Sequence, residues 1–141
     1  MKTITLYEPW ATWVGLKWKK IETRTHDRFK CLAGQRIAIH AGLKFDKFWP
    51  EAACDYLTDE QKCFMLRVAS SVDGGMLHGR ILCTAFVAEA RRLAMGDSKL
   101  ALCDCGRGDR FGLVFADVRP VEGYPKARGH QGVWDWEPDE Q

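Results

Sequence analysis

The densest set of reactive side chains in the sequence lies between residues 17 and 24, where Lys17, Lys19, Lys20, Glu22 and Arg24 crowd together. In an extended chain, side chains two apart share a face, so Glu22 and Arg24 stand roughly 7 Å apart and can orient or neutralise each other. A guanidinium so placed can hold a phosphate, and a lysine or carboxylate beside it can act as a general base. The competing reading is a surface ion pair of small net worth. Six tryptophans tip the balance towards a ligand: Trp10 and Trp13 precede this run, and Trp134 and Trp136 lie near the far end of the chain. Flat π faces beside cations are what a nucleobase and its phosphate require, although each ring taken singly suits core packing as well.

Three further residues could take part. His40 could act as a base or serve as a hydrogen-bonded structural histidine. His130 and Gln131 sit in a loop bounded by Gly129 and Gly132, where an amide can read a base edge or pin the turn. The six cysteines include one C-x-C, Cys103-Asp104-Cys105, with no second pair at finger spacing, so free thiols are expected and no metal site or cofactor. The sequence has no G-x-G-x-x-G, no G-x-x-x-x-G-K-S/T and no G-x-S-x-G, which removes the dehydrogenase, P-loop ATPase and α/β-hydrolase classes.

These residues must be positioned by short elements. Alternation in Thr3-Ile4-Thr5-Leu6-Tyr7 predicts a strand, and Pro9 suits the start of a helix that puts Trp10, Trp13 and Val14 on one face and ends near residues 15–17. Strands are predicted over 20–24 and 36–41, the second with Ile37 and Ile39 on one face and Ala38 and His40 on the other. Helical signals fill 44–69, including a capping box at Thr58-Asp59-Glu60-Gln61. After Gly74-Gly75, residues 76–91 read as a long, bulged strand or a buried helix. A loop or short helix over 95–110 and a strand over 111–119 follow. Strands with inserted helices and no regular alternation point to the α+β class, as a closed or half-open small β-barrel with a groove at one mouth.

With 141 residues, 46% hydrophobic and 28% charged, the chain fits one globular domain, 1–141, and is neither disordered nor fibrous. Its apolar runs fall well short of the roughly 20 residues that cross a bilayer, and no secretory leader is evident. A cytoplasmic monomer without a membrane partner is expected. The net charge of +2 implies no partner by itself, but its distribution is uneven. Residues 17–30 hold six bases against two acids, and residues 46–60 five acids against one base.

Four segments resemble the ASCH domain family of the PUA-like superfamily, in the family's order and over nearly the whole chain. They are Glu8-Pro9-Trp10-Ala11-Thr12, Lys19-Lys20-Ile21-Glu22-Thr23-Arg24, Ile37-Ala38-Ile39-His40-Ala41, and Arg128-Gly129-His130-Gln131-Gly132-Val133-Trp134-Asp135-Trp136. The family motif G-x-K-x-x-E-x-R falls on Lys19, Glu22 and Arg24, with Lys17 where the glycine belongs. Lys17 must then accept positive φ or reshape the turn, with Gly15 able to take over part of the role. Strict strand alternation would instead choose Lys20 as the partner of Glu22; the family alignment is followed here.

The resemblance implies a PUA-like mixed β-barrel whose cleft binds RNA, a nucleotide or a modified nucleoside. Arg24 and Lys19 would bind phosphate, Trp10 or Trp134 would stack a base, and Gln131 would meet its edge. One cleft would hold Lys19, Glu22, Arg24 and His40 beneath a roof formed by residues 131–134, with His130 beside it. Family members include RNA-binding modules, a bacterial ribonuclease and amidohydrolases that deacylate N4-acetylcytidine. The alternative is therefore a metal-independent hydrolase with Lys19 or Glu22 as general base and Arg24 beside them. The amidohydrolases carry a threonine at the position of Glu22, and their further acid has no counterpart assignable here. A third reading, a protein-interaction module using the acidic helical face, rests on charge asymmetry alone.

Overall fold

A computed structural model of the chain describes residues 1–69 and 75–138, so of the Gly74-Gly75 break only Gly75 lies within it. The strands are β1 (Lys2–Glu8), β2 (Ile21–Arg24), β3 (Arg36–Phe45), β4 (Arg80–Arg92), β5 (Phe111–Pro120) and β6 (Trp134–Asp135). The helices are α1 (Trp10–Gly15), α2 (Trp49–Ala53), α3 (Asp59–Ala69) and α4 (Ser98–Ala101). The region expected to be helical from residue 44 begins as the end of β3, because Phe45 still pairs with Glu8 of β1. The capping box forms: the Thr58 N–H donates to Gln61 Oε1 at 2.9 Å, and the Gln61 N–H donates to Thr58 Oγ1 at 3.1 Å.

The strands make one mixed sheet in the order β2-β5-β4-β3-β1-β6, with β1 and β3 parallel and every other pair antiparallel. The expected barrel is not closed. At the edges, β2 has four residues and β6 two, and they do not pair with each other. Register shifts at Leu6/Glu8, Ile39/His40, Thr84/Phe86 and Val87/Glu89 interrupt the ladders, and bulges of this kind bend strands and increase twist.

Ile4, Leu6, Val14, Ile37, Ile39, Val87 and Leu113 fill the main core. Trp13, Leu57, Met65 and Leu102 form a second cluster, with Trp10, Trp18 and Trp49 packed against it. Trp13 is therefore core, and its indole N–H points at Met65 Sδ, 3.2 Å away. At the start of α1 the buried Glu8 carboxylate accepts the Thr12 N–H at 2.7 Å and the Thr12 hydroxyl at 2.5 Å. Desolvation raises the Glu8 pKa, against those hydrogen bonds, which lower it.

Helix α1 ends in a Schellman motif. The Lys17 N–H bonds to Val14 O and the Trp18 N–H to Trp13 O, while Lys17 itself has φ +65°. Lysine thus occupies the left-handed position where the ASCH pattern has glycine. No helix of the described residues is long and apolar enough to cross a membrane.

Candidate functional site

An open cleft of about 1170 Å³ lies between the two ends of the sheet order. From one end, β2 contributes Glu22, Thr23 and Arg24, and the loop after it His26, Arg28 and Phe29. From the other, β1 contributes Thr5 and Tyr7, and β3 contributes His40, Gly42 and Lys44. Leu6, Trp10, Lys19, Leu43, Asp46, Ala52, Gly79, Cys103, Arg110 and residues 127–132 complete the lining. Its cations are Lys19, Arg24, Arg28, Lys44, Arg110 and Arg128, against the carboxylates Glu22 and Asp46.

The Schellman turn delivers Lys19 into this cleft, its N–H sharing Trp13 O with that of Trp18. The side chain is only 2% exposed, and its Nζ donates to Ala101 O at 2.5 Å and lies 5.0 Å from the centroid of the Trp10 ring. Lys20 is exposed and outside the lining; its backbone extends the strand, donating to Leu100 O and accepting from the Phe115 N–H. Strict alternation selected the wrong lysine because the chain is still leaving the helix turn at Lys19.

Glu22 is buried, with Oε1 accepting the Thr23 N–H at 2.9 Å. Its Oε2 is 3.9 Å from Arg24 Nη2, an ion pair too long for a hydrogen bond. The Arg24 guanidinium carbon lies 4.9 Å from the centroid of the Phe29 ring, and Nε is buried with no hydrogen-bond partner among the described residues. An unsatisfied buried donor costs roughly 1–3 kcal/mol, more for a charged group, so Arg24 is held in place at a cost in stability.

His40, 1% exposed, holds the opposite wall. The Trp134 indole N–H donates to Thr5 Oγ1 at 3.0 Å, Thr5 Oγ1 is 3.2 Å from His40 Nδ1, and His40 Nε2 is 2.7 Å from Ala127 O. A carbonyl only accepts, so Nε2 carries a proton, and burial, which disfavours the imidazolium, leaves Nδ1 to accept the Thr5 hydroxyl hydrogen. Burial lowers the His40 pKa, and the nearby His130 lowers it further, against the Ala127 bond. Both ring nitrogens are engaged, which fits the structural reading of His40 better than that of a general base. A Cβ on Gly129 would stand 2.7 Å from His40 Cε1, so the 127–132 strap rests directly on the imidazole.

The remaining predicted residues divide. Trp10 lines the cleft with its indole N–H bonded to Asp46 Oδ2 at 2.9 Å, and the exposed His130 and Gln131 line its roof. Trp134 is not among the lining residues; it packs edge-on behind them, 5.4 Å from His40 and 5.2 Å from His130 between ring centroids. Thr5, Phe29, Asp46 and Arg110 carry no signal of a site in the sequence, and Cys103 only that of a C-x-C weighed as a metal pair; tertiary proximity brings all five in. The Cys103 Sγ is 3.8 Å from Thr23 Oγ1. Behind it, burial and the neighbouring Cys103 push the Cys105 thiol up to about 11, and burial alone pushes Cys83 to about 12, which keeps both protonated near neutrality. Among the described residues, no three His, Cys, Asp or Glu side chains are grouped to hold a metal ion.

No family model matches the sequence. No curated protein matches it either. The crystal structure of ASCH from Zymomonas mobilis superposes with a TM-score of 0.56 at 12% identity, covering 98% of this chain and 87% of that one. A mutant form of ZmASCH from Zymomonas mobilis aligns at a TM-score of 0.49 and 12% identity, over 86% and 70% of the two chains. At that identity the first likeness speaks to architecture. The mixed sheet with its short helices has the fold of an ASCH domain.

Proposed function

We propose that the protein binds RNA or a nucleotide in this cleft, as a single-domain, cytoplasmic monomer. The observation that carries the reading is a lining of six cations against two carboxylates, with the partly exposed Arg24 among the cations. Arg24 takes a phosphate, with Lys19 adding charge from beneath Trp10, and the half-buried Trp10 ring offers an apolar face to a base. Gln131 and His130 meet the base edge from the roof, while Glu22 accepts from a ligand donor. His40, with Trp134 behind it, keeps the roof in place. The ASCH-like fold supports the same reading by analogy with PUA-like RNA binders.

The test is titration of labelled single-stranded RNA at several salt concentrations. Phosphate contacts release counterions, so affinity falls steeply with salt. Arg24→Ala weakens binding by about 1.5–3 kcal/mol while the thermal midpoint holds. A steep loss of thermal stability with unchanged affinity per folded molecule identifies the Glu22-Arg24 pair as scaffold and defeats the proposal.

A second reading is metal-independent hydrolysis of RNA or of N4-acetylcytidine, with Lys19 as general base. It is favoured by the burial of the Lys19 amine at the cleft with a single hydrogen bond. Glu22, where the amidohydrolases carry threonine, weighs against the nucleoside substrate. Turnover that persists with chelator and disappears in Lys19→Met establishes it; turnover unchanged in Lys19→Met removes it.

A further inference from the structure

The floor of the cleft continues onto an exposed rim that none of the roles above uses. Thr5, Leu6 and Tyr7 of β1 and His40, Gly42, Leu43 and Lys44 of the adjoining β3 all line the cleft, with Tyr7 and Lys44 at its outer end. From His40 to Lys44 the strand advances roughly 13 Å. The inner end is occupied by the closed Thr5–His40 hydrogen bond. The outer end is open: Tyr7 is 51% exposed, and Lys44 Nζ lies 5.7 Å from its ring centroid. Between the two ends Gly42 leaves bare backbone, where a Cβ would come within 3.1 Å of Thr5 Cγ2.

A like pair lies outside the cleft lining, next in the chain after Asp46. Phe48 is 63% exposed, with Lys47 Nζ 5.4 Å from its centroid. Asp46, the acid between these lysines, has its oxygens occupied by the Trp10 indole and the Phe48 N–H, at 2.9 Å each. The rim thus offers the exposed Tyr7 ring paired with the Lys44 ammonium, and the deep side offers the Arg24 guanidinium over the buried Phe29 ring. A repeating ligand with alternating flat bases and anionic phosphates matches that arrangement. Size agrees: at about 1170 Å³ the cleft exceeds the roughly 300–1,000 Å³ that encloses a drug-sized ligand, so one nucleoside leaves much of it unfilled.

We propose that Tyr7 and Lys44 form a second base-and-phosphate subsite, and that the ligand is a single-stranded oligonucleotide crossing the cleft from Arg24 to this rim. The inference rests on the nucleic-acid reading of the cleft and names its ligand as a strand of several nucleotides.

Affinities for uridine monophosphate and for a uridine octanucleotide are measured with wild type, Tyr7→Ala, Lys44→Gln and Arg24→Ala, each checked for folding by thermal melting. The octanucleotide binds wild type far more tightly than the monophosphate. Tyr7→Ala reduces the ratio of the two affinities about tenfold or more, and Lys44→Gln lowers the salt slope for the octanucleotide by about one. Octanucleotide binding that depends on Arg24 but is unmoved by either rim variant overturns the rim subsite and leaves the cleft reading standing. Binding that depends on the rim and not on Arg24 does the reverse. An octanucleotide that does not bind wild type removes both.

Discussion

Lys17 shows what a single residue can cost. A side chain in the left-handed region is disfavoured by roughly 1–2 kcal/mol, and the glycine that avoids this adds about 0.4–1 kcal/mol of unfolded-state entropy. Lys17→Gly should therefore stabilise the domain by about 0.5–1 kcal/mol, read as a higher urea midpoint at unchanged slope; an equal or lower midpoint would mean that the Schellman turn favours lysine here. His40 makes a prediction in pH. Its folded pKa lies below the ordinary 6.5, because burial disfavours the imidazolium and His130 adds like charge. The unfolded chain then binds the extra proton first, so the contribution of the neutral ring is complete above 6.5 and declines as pH falls below it. Denaturant midpoints across that range should show the decline in wild type and a shallower one in His40→Gln.

At the scale of elements, the turn after β4 is held by Asp97, which accepts two bonds from Arg91 at 2.9 Å and one from the Ala94 N–H at 2.8 Å. The Arg91 bonds, first, and the Ala94 bond hold the Asp97 carboxyl at about 2, against the usual 3.8. That stabilisation is intact above pH 4 and vanishes as pH falls towards 2; with Arg91 40% exposed, solvent screening limits it to about 1 kcal/mol. Asp97→Asn should lower the midpoint at pH 7 by about that amount and flatten the acid limb of the stability profile. Local signals made most elements legible: alternation marked β1 to β3, and Thr58 with Gln61 marked the start of α3. The parallel pairing of β1 with β3 had no such signal, since it joins segments separated by α1 and β2. Nor could period two find Lys19, because it belongs to a helix turn; the family motif found it. Phe29 and Thr5 became site residues only through the curvature of the sheet.

Across the whole molecule, the cleft exists because the sheet stays open. Across the cation-lined cleft β2 faces β1 and β3, and the short edge strands β2 and β6 are not joined by a further ladder. Trp134 supports this from outside the lining, pairing with β1 and bonding to Thr5. Trp134→Ala should cost about 2–4 kcal/mol in stability and also weaken RNA binding by loosening the roof, whereas Arg24→Ala should weaken binding alone; equal losses of stability in the two variants would contradict this division. The pairing of Lys2 with Asp135 also fixes an order of assembly. During synthesis, the first strand must wait for some 130 further residues before its outer edge is covered. The strap that rests on His40 also comes late, so a nascent chain already carrying Lys19, Glu22 and Arg24 still lacks half of its grip. If the cleft takes a nucleic acid as proposed, its roof is in place only once residues 127–135 have been added, so a fragment ending before them should bind far more weakly than the full domain.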